Sequence, residues 1–175
     1  WLQAARPKTL PVAMAPVIVG TALAWAESGR VDGAVTIVIL AAAVLIQIGT
    51  NLHNDVADHE RGADLPETRL GPPRATAEGW LEPARVRAMA AMAFLAAAGL
   101  GGWLIVQGGW PVALIGVLSL AAGWAYSGGP WPISYSSLGE VFVWLFFGVI
   151  AVAGTYYLQA GGVTPGALLA GAALG

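Results

Sequence analysis

The sequence predicts an all-α protein, a polytopic bundle of transmembrane helices. Three observations predict it. Hydrophobic residues make up 57% of the chain and charged residues only 10%, with a mean hydropathy of +0.70; a soluble domain carries about 25% charged residues. Uncharged runs of about 20 residues, the length a helix needs to cross a hydrocarbon core, recur along the chain. The runs are rich in Ala and Leu and do not alternate, which argues against strands.

The first run is 9–26, interrupted by Pro11 and Pro16. The second is 33–52, the third 88–107, the fourth 110–126 and the fifth 141–159. Residues 163–175 begin a sixth. The expected architecture is about five complete spans and the start of another, all in one transmembrane domain over 1–175. The chain opens on Trp1 without Met and stops at Gly175 inside an apolar run. It is therefore expected to be a fragment lacking a few N-terminal residues and a C-terminal part.

The connections differ in kind. Residues 27–32, 108–109 and 160–162 are short links; residues 53 to about 83 and 127 to about 139 are longer and polar. By parity the N-terminus and both long loops share one side. Arg6, Lys8, Arg61, Arg69, Arg74, Arg85 and Arg87 fall on that side, and only Arg30 on the other. Lys and Arg concentrate on the cytoplasmic side, so the long loops are expected in the cytoplasm, with the protein in a bacterial inner membrane. Trp25, Trp103, Trp110, Trp124 and Trp131 lie near run ends, as an interfacial aromatic belt requires. The absence of cysteine excludes disulfides and thiol chemistry. Residues 88–175 hold one charged side chain, Glu140.

The second run continues into Asn51-Leu52-His53-Asn54-Asp55-Val56-Ala57-Asp58. At about 100° per residue, Asn51, Asn54, Asp55 and Asp58 fall within an arc of about 100° and His53 opposes them. Two carboxylates one turn apart repel, and a helix C-terminus disfavours both. Ionised groups near a bilayer are expensive and usually functional. A divalent cation relieves each penalty, and magnesium takes one or two carboxylates together with phosphate oxygens. Zinc through His59 and Asp55 is a poorer donor set. Downstream, Arg69 and Arg74 are embedded among Gly71, Pro72 and Pro73, and Arg forks suit diphosphate oxygens. In the second long loop, Gly and Pro shape the chain between Tyr126 and Tyr135, whose hydroxyls can donate hydrogen bonds, and Glu140 sits at a helix start, where an anion is favoured.

These residues resemble a known family. Asn51-x-x-Asn54-Asp55-x-x-Asp58 at the end of a second helix is similar to the first Asp-rich motif of the UbiA superfamily of intramembrane aromatic prenyltransferases. Three blocks resemble its 1,4-dihydroxy-2-naphthoate polyprenyltransferase branch: Ala5 to Pro11; Asn54-Asp55 through Gly62-x-Asp64 to Arg69-x-Gly71-Pro72-x-Arg74; and Tyr126-Ser127-Gly128-Gly129-Pro130 through Glu140 to Gly154-Thr155-Tyr156-Tyr157. The resemblance implies about nine helices around a central cavity. It also implies a second Asp-rich motif after the sixth helix, so this chain holds half of the metal-diphosphate site. A fragment so divided is expected to be inactive alone.

The activity implied is magnesium-dependent transfer of a polyprenyl group from its diphosphate to 1,4-dihydroxy-2-naphthoate, with decarboxylation to a demethylmenaquinol. Asp55 and Asp58, with Asp64 as a further candidate, would hold Mg2+, and Asn54 would act beside them. Asn51, Arg69 and Arg74 would bind the diphosphate. Arg6 or Lys8 would take the aromatic carboxylate, and Tyr126 and Glu140 would order the cytoplasmic cap. The partners implied are the two substrates and the bilayer, with no nucleic acid. The alternatives are a sister enzyme acting on another acceptor such as 4-hydroxybenzoate and, from a different class, a cation-coupled transporter.

Overall fold

The computed structural model describes residues 1–62 and 73–175, and among them every regular element is helical. A four-residue helix, Leu2–Ala5, and a 3-10 turn, Pro7–Thr9, lead into α1 (Leu10–Ser28). Then come α2 (Gly33–Glu60), α3 (Pro83–Gly108), α4 (Trp110–Ala125), α5 (Gly139–Ala160) and α6 (Pro165–Leu174). Leu2–Ser28, α2, α3 and α5 are long and apolar enough to cross a membrane, and α4 and α6 are shorter apolar helices. The protein is an integral membrane helix bundle.

Local chemistry sets the helix ends. The Asp32 carboxylate accepts from the backbone N–H of Ala34 and Val35 and caps α2. Proline stands in the first turn of α1, α3, α4 and α6, where its missing N–H has no helical partner to lose. Gly29 and Gly161 close α1 and α5 at φ of 70° and 75°, a conformation that favours glycine. The middle of α5, Trp144–Ile150, is π-wound.

Helix α2 overruns its apolar stretch. The long loop expected from His53 begins only after Glu60, because backbone hydrogen bonding continues through the polar face. At 1.5 Å per residue, α2 is about 42 Å long, against a hydrocarbon core of about 30 Å. The helix is therefore longer than the core is thick.

The bundle packs through small residues. A Cβ on Gly20 of α1 would meet the Val152 carbonyl of α5 at 2.7 Å, and one on Gly148 of α5 would meet the Gly171 carbonyl of α6 at 2.5 Å. In lipid, where apolar burial drives little, this close approach is the packing force. Buried apolar clusters lie at both ends. Leu52, Val56, Ala75 and Val86 form one near the long loops, and Ala24, Tyr156 and Ala167 another at the short links.

The parity expected from the sequence holds in space. At one end Asn51 Nδ2 donates to the Ala5 carbonyl at 3.0 Å, and Arg61 donates to the carbonyls of Ser127 and, at 2.6 Å, Gly129. These bonds gather the N-terminal segment and both long connections. At the other end Tyr156 donates to Glu27, and the Asp32 N–H donates to Gln159 at 2.7 Å. The five belt tryptophans are all exposed.

Candidate active site

The last turns of α2 carry the polar face from the bundle into the loops. Asp55 is 1% exposed. Its Oδ2 accepts from the Ala75 N–H at 2.9 Å, and its Oδ1 accepts from the Thr76 N–H at 2.9 Å and from the Thr76 hydroxyl. Asp55 thus holds the tight turn in which the Glu78 N–H bonds back to the Arg74 carbonyl at 2.9 Å.

Asp58 binds two different partners. Its Oδ2 accepts from Arg74 Nη2 at 2.5 Å, and its Oδ1 accepts from the Tyr135 hydroxyl at 2.7 Å. Arg74 comes from the first long connection and Tyr135 from the second, so one carboxylate joins both. Burial lowers the Arg74 pKa, and the negative charges of Asp58 and Asp55 oppose that shift. Desolvation, reinforced by the hydrogen bond to Asp58, raises the Tyr135 pKa above the ordinary phenol value.

Asn51 Nδ2 also donates to Thr9 Oγ1 at 2.9 Å, and Gln47 Nε2 reaches the same hydroxyl at 3.2 Å. His53, on the opposite side of α2, stacks on Trp124 with ring centroids 6.1 Å apart. A Cβ on Gly128 would stand 2.4 Å from His53 Nε2, so the second long loop can close over α2 only with glycine there.

Inside these contacts lies a cavity of about 560 Å3. Its polar end is formed by Arg6, Thr9, Gln47, Asn51, Asn54 and Tyr126. Phe142 and Phe146 of α5 form its aromatic wall, with rings 4.5 Å apart, and Phe142 stacks on Tyr126. Leu104, Val112 and Leu158 carry the cavity on toward the short-link end. A single chamber thus joins a polar mouth to a long apolar interior. The UbiA prenyltransferase family model matches residues 13–175.

The chain belongs to this family.

Curated relatives agree. A 1,4-dihydroxy-2-naphthoate octaprenyltransferase of Escherichia coli is 37% identical over 190 aligned positions, covering 100% of this chain and 58% of the relative. The Mycobacterium tuberculosis protein of the same description is 40% identical over 163 positions, covering 91% of this chain and 54% of the relative. A 2-carboxy-1,4-naphthoquinone phytyltransferase of Synechocystis is 32% identical over 168 positions, covering 91% and 50%. The chain spans about half the length of the curated relatives it matches.

Against this UbiA framework the expected site residues divide. Asn51, Asn54 and Arg6 line the cavity mouth, and Arg6 holds a left-handed backbone at φ 53°. Tyr126 lines the cavity as well. Asp55 and Asp58 stand behind the mouth and do not line the chamber, because their oxygens turn toward the loops. Arg74 is buried on Asp58. Lys8 and Glu140 are exposed and lie apart from the cavity lining. Asp64 and Arg69 fall outside the described residues. Among the described residues no third acid or histidine joins the two carboxylates.

Three residues of the site were missed from sequence, and a fourth, Tyr135, was read as a hydrogen-bond donor without its partner. Thr76 and Tyr135 reach the carboxylates from 21 and 77 positions away, and no local pattern announces such contacts. Arg61 was counted only as a loop charge. Gln47 had a signal: it precedes Asn51 by four residues, so the periodicity that grouped the other four places it on the same face.

Proposed function

We propose that the full-length protein transfers a polyprenyl group from a polyprenyl diphosphate to 1,4-dihydroxy-2-naphthoate, releasing diphosphate and carbon dioxide and giving a demethylmenaquinol. Residues 1–175 are part of its single transmembrane domain. The observation that carries this reading is the junction at the cavity mouth, where the polar end of an apolar chamber stands in front of the carboxylates of Asp55 and Asp58. A lipid-tailed diphosphate needs both. The names of the relatives supply the acceptor class.

Members of this family generally use a divalent metal, and we assign magnesium. The donor set fits a hard cation. A carboxylate offers about four lone-pair sites; Asp55 uses three and Asp58 two on the contacts described. The Arg74 guanidinium against Asp58 already marks this face as one that takes positive charge. Asp55 and Asp58 would hold the ion, which supplies charge neutralisation to the departing diphosphate.

The chain's own residues do the rest. Arg74, within reach of the same face, exchanges Asp58 for diphosphate oxygens, and Asn54 donates its amide N–H beside it. The allylic C–O bond breaks and its electron pair leaves with diphosphate. The ring attacks the allylic cation, a C–C bond forms, and the ring carboxylate departs as carbon dioxide. The faces of Tyr126, Phe142 and Phe146 flank the passing cation, an arrangement worth about 0.5–2 kcal/mol per well-placed ring. Arg6 at the mouth meets the acceptor's carboxylate. The predominance of Lys and Arg on the long-loop side supports a reaction at the cytoplasmic face of a bacterial inner membrane.

The test uses membranes containing the full-length protein, a polyprenyl diphosphate, magnesium and candidate aromatic acids. Release of diphosphate with formation of the prenylated naphthalene diol is expected. Prenylation of 4-hydroxybenzoate in preference to the naphthoate would overturn the acceptor, and no diphosphate release with any donor would overturn the reaction class.

A further inference from the structure

Two amide carbonyls at the cavity mouth have no partner. Gln47 Oε1 and Asn54 Oδ1 are buried and accept no hydrogen bond, although both side chains line the cavity and each residue is 8% exposed. Their neighbours are satisfied differently. Asn51, between them on the same face, spends its amide N–H groups on Ala5 and Thr9. Gln47 donates its amide N–H groups to Thr9 and, at 3.5 Å, to Asn51 Oδ1, while no donor reaches its carbonyl. A buried acceptor left unpaired is costly, and native interiors rarely keep one without a reason. Two on one face, both beside a chamber, point to a ligand that brings two donors.

The helix sets their spacing. Positions 47 and 54 are seven residues apart, two turns of α2, so their Cα atoms are separated by about 10.5 Å along the axis. One hydroxyl cannot serve both. A para-diol on an aromatic ring, with oxygens roughly 5.5 Å apart and hydrogen bonds of about 2.7 Å at either end, spans roughly 11 Å. Both carbonyls are shielded as they stand, but a terminal amide torsion is broad and soft; ring entry requires that each amide turn, with Gln47 giving up its bonds to Thr9 and Asn51 for the bond to the ring hydroxyl.

We propose that Gln47 and Asn54 form a diol clamp, in which the two carbonyls accept the two ring hydroxyls of an aromatic para-diol and so select it over a monohydroxy acid. This rests on the proposed function and names what selects its acceptor. Asn54 then stands between the substrates, with its N–H toward the diphosphate and its carbonyl toward the ring. Gln47, one turn deeper than Asn51, is a positioning residue that fixes the far end of the ring against the aromatic wall.

Binding tests the clamp without turnover. The full-length protein in nanodiscs, with no prenyl donor, is titrated with 1,4-dihydroxy-2-naphthoate and with each of its two mono-O-methyl ethers. Wild-type protein is expected to bind either ether about tenfold more weakly, the effect of one buried acceptor left unpaired. In Gln47→Met the diol weakens about tenfold, one of the two ethers loses no more, and affinity for a polyprenyl diphosphate stays at the wild-type value. Equal binding of diol and ethers by wild type would overturn the clamp, and so would full discrimination retained in Gln47→Met. The ether comparison on wild type stands even if that variant fails to fold. Tight, discriminating diol binding without turnover would uphold the clamp and refute the proposed reaction; turnover without discrimination would do the reverse.

Discussion

Asp55 and Asp58 stand one turn apart on α2 and do different work. Asp55 holds two backbone N–H groups of a buried turn. Asp55→Ala strands both, which costs about 2 kcal/mol or more. The expected result is loss of turnover in the full-length protein, together with a lower thermal midpoint in detergent. An unchanged midpoint would remove the anchoring role. Asp58 instead contributes to the titration of Tyr135. The Tyr135 pKa is raised, by desolvation first and by Asp58 next. The protonated hydroxyl therefore holds the loops fully below the ordinary phenol value of about 10, and that contribution is lost as pH rises through the folded value. In Asp58→Asn the Tyr135 titration, read as tyrosinate absorbance against Tyr135→Phe, is expected to move down; no movement would break the link. The acidic face was legible in the sequence because helical periodicity is local. The contacts of Thr76 and Tyr135 with it were not, because they depend on how the loops return.

At the scale of elements, the six apolar runs became helices close to their expected positions, because run length and proline placement are strong signals. The helical face read over Asn51–Asp58 runs on to Glu60, past the point at which hydropathy falls, because a helix stops where its hydrogen bonds stop. The crossings of small residues were also unread: glycine content does not say which glycines touch. Gly148 and Gly99 separate the two kinds. A Cβ on Gly148 meets the α6 backbone, and one on Gly99 meets nothing within 4 Å. Gly148→Val is expected to destabilise by about 1–3 kcal/mol through overpacking, while Gly99→Ala leaves stability level or slightly higher. Equal thermal midpoints for the two variants would show that the α5–α6 crossing does not hold the bundle.

The whole molecule places its site by asymmetry: links of a few residues at one end, and at the other two long connections clasped by Arg61, Asp58 and Arg74. The charge distribution supports the proposed orientation, with the long connections in the cytoplasm. In a cysteine-free full-length background, Arg85→Cys and Trp131→Cys should react with an impermeant maleimide only from the cytoplasmic side, and Arg30→Cys only from the other. The reverse pattern would invert the protein. The reach of α2 has an electrical consequence. With magnesium held at the cytoplasmic end of α2, as proposed, the carboxylate pair lies within the potential of the leaflet. At about −30 mV, an anionic leaflet enriches a divalent cation at its surface about tenfold. The bulk magnesium needed for half-maximal turnover should therefore fall as anionic lipid is added and rise again with monovalent salt. The lipid composition of the membrane then acts as a dial on this site, without touching a single one of its residues.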